Sequence, residues 1–175
     1  MTFTKNHAYA TTNNAASLAA ARRPIGNNGF VLCDGDVIFS ANPVPALLAV
    51  SEPCALAVDP QAPFDAEAMK VELAGDGAVT TISKHISPAK SGGESVGLQK
   101  VCGPAVPLLW EAVDRLVARA AATAYYEDAF QEMIDRGVRF GVSRIEPGSC
   151  IEIDDAADLA AARQRFSAVP RTARP

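Results

Sequence analysis

Two short apolar runs set the terms for this chain. Phe30-Val31-Leu32-Cys33 and Ala55-Leu56-Ala57-Val58 hold no polar residue and are too short for helices. A segment apolar at every position cannot keep one face in water, so each run predicts a strand covered on both faces. The first run ends in Asp34-Gly35-Asp36. A glycine between two acids closes the strand with a turn and lets another group approach the backbone closely.

Other segments supply the covering layers. Val106, Leu109, Trp110, Val113, Leu116, Val117 and Ala120 recur in steps of three and four, with Glu111, Asp114, Arg115 and Arg119 opposite, which predicts an amphipathic helix. A second helix is predicted from about Tyr125 to Arg136, stopped by Gly137, and a last one from Asp154-Asp155 through Phe166. Ahead of the first run, an Ala-rich stretch around Ser17 to Arg23 predicts a short helix capped by Ser17 or Asn14 and broken before Pro24. Asn42 and Pro43 start another through Leu48. Val79 to Ser83, Val96 to Val101 and the alternating Val138, Phe140 and Val142 read as further strands, with Gly75-Asp76-Gly77 turning between two of them. Strands alternating with helices predict an α/β sandwich with a mostly parallel sheet, as one domain over residues 1–166 and a frayed tail over 167–175.

Composition narrows the partners. The 175 residues are 49% hydrophobic and 21% charged, which suits one domain with a sizeable core. A net charge of -4 argues against a broad nucleic-acid face or an anionic-membrane clamp, both of which need clustered positive charge. Cys33, Cys54, Cys102 and Cys150 are widely spaced, which does not suit zinc, and three lie in apolar runs. Buried reduced thiols are expected. The N-terminus shows no basic head and apolar segment of a secretory leader, so a cytoplasmic location is expected.

Three constellations carry chemical potential. Asp34 and Asp36 stand at the end of a buried strand, where open α/β sheets bind ligands, and carboxylates suit Mg²⁺. In Ile151-Glu152-Ile153-Asp154-Asp155, Glu152 and Asp154 share a face of a strand end, and either suits a second metal carboxylate. Asp155 or Asp158 suits the N-terminus of the following helix. Tyr125-Tyr126-Glu127-Asp128 combines aromatic rings with acids, which suits a cationic group. Each also has a purely structural reading: a turn, a helix cap, and a core tyrosine beside first-turn acids.

Taken in order, FVLCDGDVIFSANPVPALL, the stretch Asp65 to Val71, VTTISKHI, GESVGLQKV, YYEDAFQEMIDRGV and IEIDDAADLAAA resemble the nucleotidyltransferases that include bacterial phosphocholine and related phosphonate and sugar-phosphate cytidylyltransferases. The ATTNN-x-x-SL opening resembles the segment that precedes the D-x-D strand in that family. The resemblance implies a Rossmann-like, GT-A-like fold that transfers a nucleotidyl group from an NTP, CTP above all, to a phosphorylated or phosphonylated small molecule. It implies Mg²⁺ held by Asp36 and Asp154, with Asp34, Lys84, Tyr126 and Glu127 as substrate contacts.

The family's signature, a Gly-rich G-x-G-x-R loop that cradles the triphosphate, has no counterpart in the sequence, which matches the C-terminal two-thirds of the family fold. An N-terminally truncated enzyme, incomplete on its own, is therefore expected, with a homo-oligomer or a partner chain completing it. The competing expectations are a D-x-D glycosyltransferase of the same fold and a non-catalytic binding remnant.

Overall fold

The computed structural model describes residues 2–62, 66–120 and 122–166. Asp65, at the head of one of the resembling stretches, and the expected tail over 167–175 lie outside the described residues. The Ala-rich opening forms α1 (Asn14–Ile25). Its cap is Asn13, whose side chain accepts from the Asn14 N–H, in place of Ser17 or Asn14. Pro24 sits inside the helix, and Gly26 closes it.

The first apolar run becomes β1 (Phe30–Cys33), followed beyond the Asp34–Asp36 turn by β2 (Val37–Phe39) and α2 (Val44–Ala49). Pro43 holds the cap position of α2 in place of the expected Asn42, whose side chain instead accepts from the Val44 N–H one residue further on. The second run becomes β3 (Cys54–Asp59), buried at every residue. A hairpin follows, β4 (Lys70–Leu73) and β5 (Val79–Ser83), and then the long β6 (Gly93–Val101). α3 (Ala105–Ala120) and α4 (Tyr126–Asp135) lead to β7 (Phe140–Arg144), β8 (Cys150–Glu152) and α5 (Ala156–Phe166).

The main sheet runs β5-β4-β6-β3-β7, with β1 also on β6, and β2 and β8 form a separate two-stranded ribbon. The α/β architecture is the expected one, but the strand directions are not. Only β3 and β7 pair in parallel, whereas β1–β6, β3–β6, β4–β5 and β4–β6 are antiparallel. Parallel neighbours need a crossover, usually a helix. Between β3 and β6 the described residues hold only strands, turns and a single 3-10 turn, so the chain folds back on itself there. The helical crossover α3–α4 comes after β6, and β7 is the strand it delivers in parallel. Complete burial holds for β3 but not for β1, which is half-buried with Cys33 exposed because, among the described residues, it pairs only with β6. The apolar runs thus mark the strands correctly, and misread the cover of β1 and the direction of the sheet.

One face of the sheet is covered by α1, α3 and α4, around Trp110, Tyr126, Phe130 and Phe140. The other carries a smaller apolar cluster around Leu47, Ala55, Ala57, Val96, Leu98 and Ile145. β6 serves two neighbours along one edge, β4 at Gly93–Glu94 and β1 at Leu98–Val101. It changes course between them at Gly97, whose φ of 67 belongs to the left-handed region. That bend lets the end of β1 lie against β6. The Asp34 N–H donates to the Gly97 carbonyl at 2.8 Å. All four cysteines are free, and Cys54 is buried as expected, but Cys33 is exposed at the outer edge of the sheet.

Candidate functional site

The ribbon joins the two acidic segments that the sequence keeps far apart. Val37 lies opposite Glu152 and Phe39 opposite Cys150, while the Ile153 N–H donates to the Asp36 carbonyl at 2.9 Å. The pairing brings carboxylate oxygens of Asp36, Glu152 and Asp154 within 4.8 Å of one another, all on exposed residues. Glu152 is thus a full member of the cluster beside the two aspartates.

Beyond the ribbon the acids change task. Asp155 Oδ1 accepts from the Ala157 and Asp158 N–H groups at 2.7 and 3.0 Å, and Asp158 Oδ2 accepts from Asp154 and Asp155. These reciprocal bonds cap α5, the role expected of Asp155 and Asp158. They hold the Asp155 carboxyl below its usual range.

Asp34 occupies a different environment from Asp36. Its Oδ2 accepts a 2.7 Å hydrogen bond from the Tyr126 hydroxyl, which in turn accepts from Gln99 Nε2 at 3.2 Å. Burial raises the Asp34 carboxyl, against the opposing effect of the Tyr126 bond, and the Asp36 charge adds to the rise. α1 contributes as well: Asn14 Oδ1 accepts from the Tyr126 N–H at 2.8 Å, tying the start of α4 to the start of α1. Asn14 therefore positions a tyrosine and does not cap its own helix. Tyr126→Phe keeps the ring and removes this centre of the network. We expect it to cost about 1–2 kcal/mol of stability, because a half-buried carboxylate and a buried amide both lose a partner. Urea unfolding of the variant against the native chain measures this.

Tyr126 and Glu127 are both buried, and neither lines the cleft that holds Glu152 and Asp154, so they do not stand open there as the expected substrate contacts. The Tyr126 ring meets Phe130 edge-on with centroids 5.4 Å apart. Glu127 Oε2 has no hydrogen-bond partner, and burial, with the Asp34 charge contributing, pushes this carboxyl up to about 7.

The open side of the cluster is a cleft of roughly 580 Å³ lined by Glu67, Ala68, Lys84, Glu94, Glu152, Asp154 and Asp158. Lys84 is its single cation among those residues, 2.8 Å from Glu67 and 4.7 Å above the ring of Tyr125. Of the two tyrosines it is therefore Tyr125 that stands by the lysine. Burial first, and then the neighbouring acids Asp154, Asp36 and Asp34, raise the Glu152 carboxyl. Gly97, Gln99, Glu67 and Glu94 were not singled out from the sequence, because each acts through a neighbour distant along the chain.

No family model and no curated protein matches the chain. Solved structures do. A protein assigned as a glucose-1-phosphate thymidylyltransferase from Bacillus anthracis, in complex with sucrose, superposes with a TM-score of 0.75 at 16% identity, covering 97% of this chain and 65% of its own. The inositol-1-phosphate CTP transferase from T. maritima gives 0.71 at 19%, covering 97% and 67%. The CTP:phosphocholine cytidylyltransferase from Streptococcus pneumoniae gives 0.67 at 18%, covering 92% and 67%. The chain shares the Rossmann-like α/β fold of these structures and spans about two thirds of their length. No helix among the described residues is long and apolar enough to cross a membrane.

Proposed function

We propose that this chain carries the metal and acceptor side of a nucleotidyl-transfer site. The observation that supports this most directly is the convergence of Asp36, Glu152 and Asp154 from the two ends of the fold. Three hard oxygen donors on exposed side chains suit Mg²⁺, around which opposite ligands stand about 4.2 Å apart, close to the observed spread. The fold neighbours are nucleotidyltransferases that use CTP or act on sugar phosphates and phosphocholine by name, which supports the same reading.

In the proposed reaction an ionised oxygen of a phosphorylated or phosphonylated acceptor attacks the α-phosphorus of an NTP, with CTP the proposed donor. The new P–O bond forms as the α–β bridging bond breaks, and pyrophosphate leaves. The nucleophile is already ionised, so no general base is needed, and positioning and charge neutralisation do the work. Bound Mg²⁺ would supply charge neutralisation at the phosphates, held by Asp36 and Asp154 with Glu152 beside them. Tyr126 holds Asp34 against Gly97, fixing the turn on which Asp36 sits. Lys84 meets the anionic part of the acceptor, and Glu127, buried next to Tyr126, adds a titrating carboxyl whose charge acts on Asp34.

Calorimetric titration with Mg²⁺ and with Mn²⁺ tests the metal assignment. Asp154→Asn is expected to weaken binding by about tenfold or more, since a ligating carboxylate is replaced by a neutral amide. Unchanged affinity in both Asp36→Asn and Asp154→Asn would remove the basis of the reading. Pyrophosphate release, followed with each NTP and a panel of phosphorylated acceptors, tests the chemistry. Turnover by the chain alone is expected to be low, because a triphosphate needs more opposing donors than the single lysine of this acidic cleft provides.

A further inference from the structure

The Lys84 ammonium has two unequal neighbours. Glu67 Oε2 lies 2.8 Å away, and the Tyr125 ring lies beneath the nitrogen with its centroid at 4.7 Å. The lysine and the ring belong to the body of the fold. Lys84 follows β5 directly, and the Ser83 hydroxyl accepts from the His85 N–H across it at 3.1 Å. Tyr125 sits at the head of α4, its N–H donating to the Asp128 carboxylate at 2.9 Å. β5 and α4 are tied in turn by the Ile82 N–H, which donates to Gln131 Oε1 at 2.8 Å. The cation therefore has a fixed seat on an aromatic face, which attracts it.

Glu67 is placed differently. Its side chain is 81% exposed, against 24% for that of Lys84. An ion pair with one partner so far in water favours the paired state by about fivefold at most. Exchanging this partner costs little, whereas moving the lysine costs it both the carboxylate and the ring.

The surroundings give the exchange its meaning. Five carboxylates line the cleft, and Lys84 is the one cation among the lining residues. An anion that enters finds this ammonium already held by a carboxylate. That carboxylate is tethered, so it competes as though present at a concentration on the order of millimolar. A phosphate monoester carries about -1.5 to -2 charges at neutral pH, more than the single charge of Glu67.

We infer that Glu67 is an internal competitor for the acceptor's anionic group. It holds Lys84 while the cleft lacks an acceptor, and the phosphate or phosphonate displaces it outward into solvent while Lys84 stays on Tyr125. As a step in acceptor binding, this rests on the nucleotidyl-transfer reading. Transfer then reverses the balance. Once its oxygen bonds the α-phosphorus, the acceptor phosphate loses one of its two negative charges, its hold on Lys84 weakens, and Glu67 returns. The competitor thus favours release of product at the expense of tight substrate binding.

Phosphorus NMR titration of the full chain in buffer containing Mg²⁺ tests this, with methyl phosphate as the dianionic probe and dimethyl phosphate as the monoanionic one. Glu67→Gln removes the competitor and is expected to tighten both probes by the same factor, about two- to fivefold, with the native circular dichroism retained. A competitor scales all anions alike, whereas the loss of a merely repulsive charge would help the dianion far more than the monoanion. Lys84→Met keeps an apolar stem and removes the charge, and in that background Glu67→Gln is expected to change neither affinity. The inference is overturned by no gain in Glu67→Gln, by unequal gains for the two probes, or by the same gain without Lys84. Absence of phosphate binding in every variant overturns it too. The calorimetric titration with Mg²⁺ contains no phosphate, so the metal assignment stands or falls separately.

Discussion

Gly97→Ala is expected to destabilise the protein by roughly 2–4 kcal/mol. Part of this is conformational, since a left-handed backbone costs an L-residue about 1–2 kcal/mol. The remainder comes from a contact. A Cβ at this position would stand 2.8 Å from Asp34 Oδ2 and 3.0 Å from Val37 Cγ2. Asp34 has little freedom to retreat, because its carboxylate is fixed by the Tyr126 hydroxyl and its N–H by the Gly97 carbonyl. Gly103→Ala isolates the two contributions. Gly103 also has a positive φ, 57, but open space where its Cβ would go, so that variant carries the conformational cost alone. Urea unfolding of both should show the larger loss at Gly97, accompanied by weaker Mg²⁺ binding there. Equal losses would mean that the glycine serves the backbone only and makes no room for Asp34.

Glu127→Gln should act in the opposite direction, and only at high pH. The Glu127 carboxyl rises from 4.5 to about 7 in the folded chain, chiefly through burial. Between those values the folded state binds more protons than the unfolded state, so stability is greatest below about 4.5 and falls as pH rises toward 7. Once ionised, the group costs the fold roughly 3 kcal/mol. Glutamine has nearly the same shape and never ionises. The variant should therefore match the native chain near pH 4.5 and exceed it by about 2–3 kcal/mol at pH 8. Denaturant midpoints at the two pH values measure the difference. A gap of the same size at both would show that Glu127 is not a buried titrating group. A wild-type carboxyl retained despite such a cost is consistent with a place in the site.

Local signals in the sequence carried far, and they stopped where the chain meets itself. The apolar runs at Phe30 and Ala55, the three-and-four spacing of α3, the Gly75-Asp76-Gly77 turn and the Gly137 stop each depend on neighbours within a few residues. All of them appear in the structure. Strand direction depends on whether a crossover lies between two strands, and the stretch from Asp59 to Gly93 offered no pattern that distinguished a crossover from a fold-back. The site divides along the same line. Glu152 and Asp154 share a face by simple alternation, but the ribbon that sets them beside Asp36 joins residues more than a hundred positions apart. Tyr126 was singled out beside its acids as part of a pocket for a cation. Its actual partners, Asp34, Gln99 and Asn14, come from three other elements.

The two-stranded ribbon has a mechanical side. Three carboxylates stand within 4.8 Å across a pairing of only three residues per strand, so like charges push apart the backbone bonds that hold them together. This tension sits on the connection that leads directly into α5. Ordinary salt shortens the reach of the repulsion, to about 8 Å at physiological ionic strength and less above it, whatever the cation. The C-terminal segment is therefore expected to be held more firmly as salt rises, while the sheet, held by apolar packing, should change little.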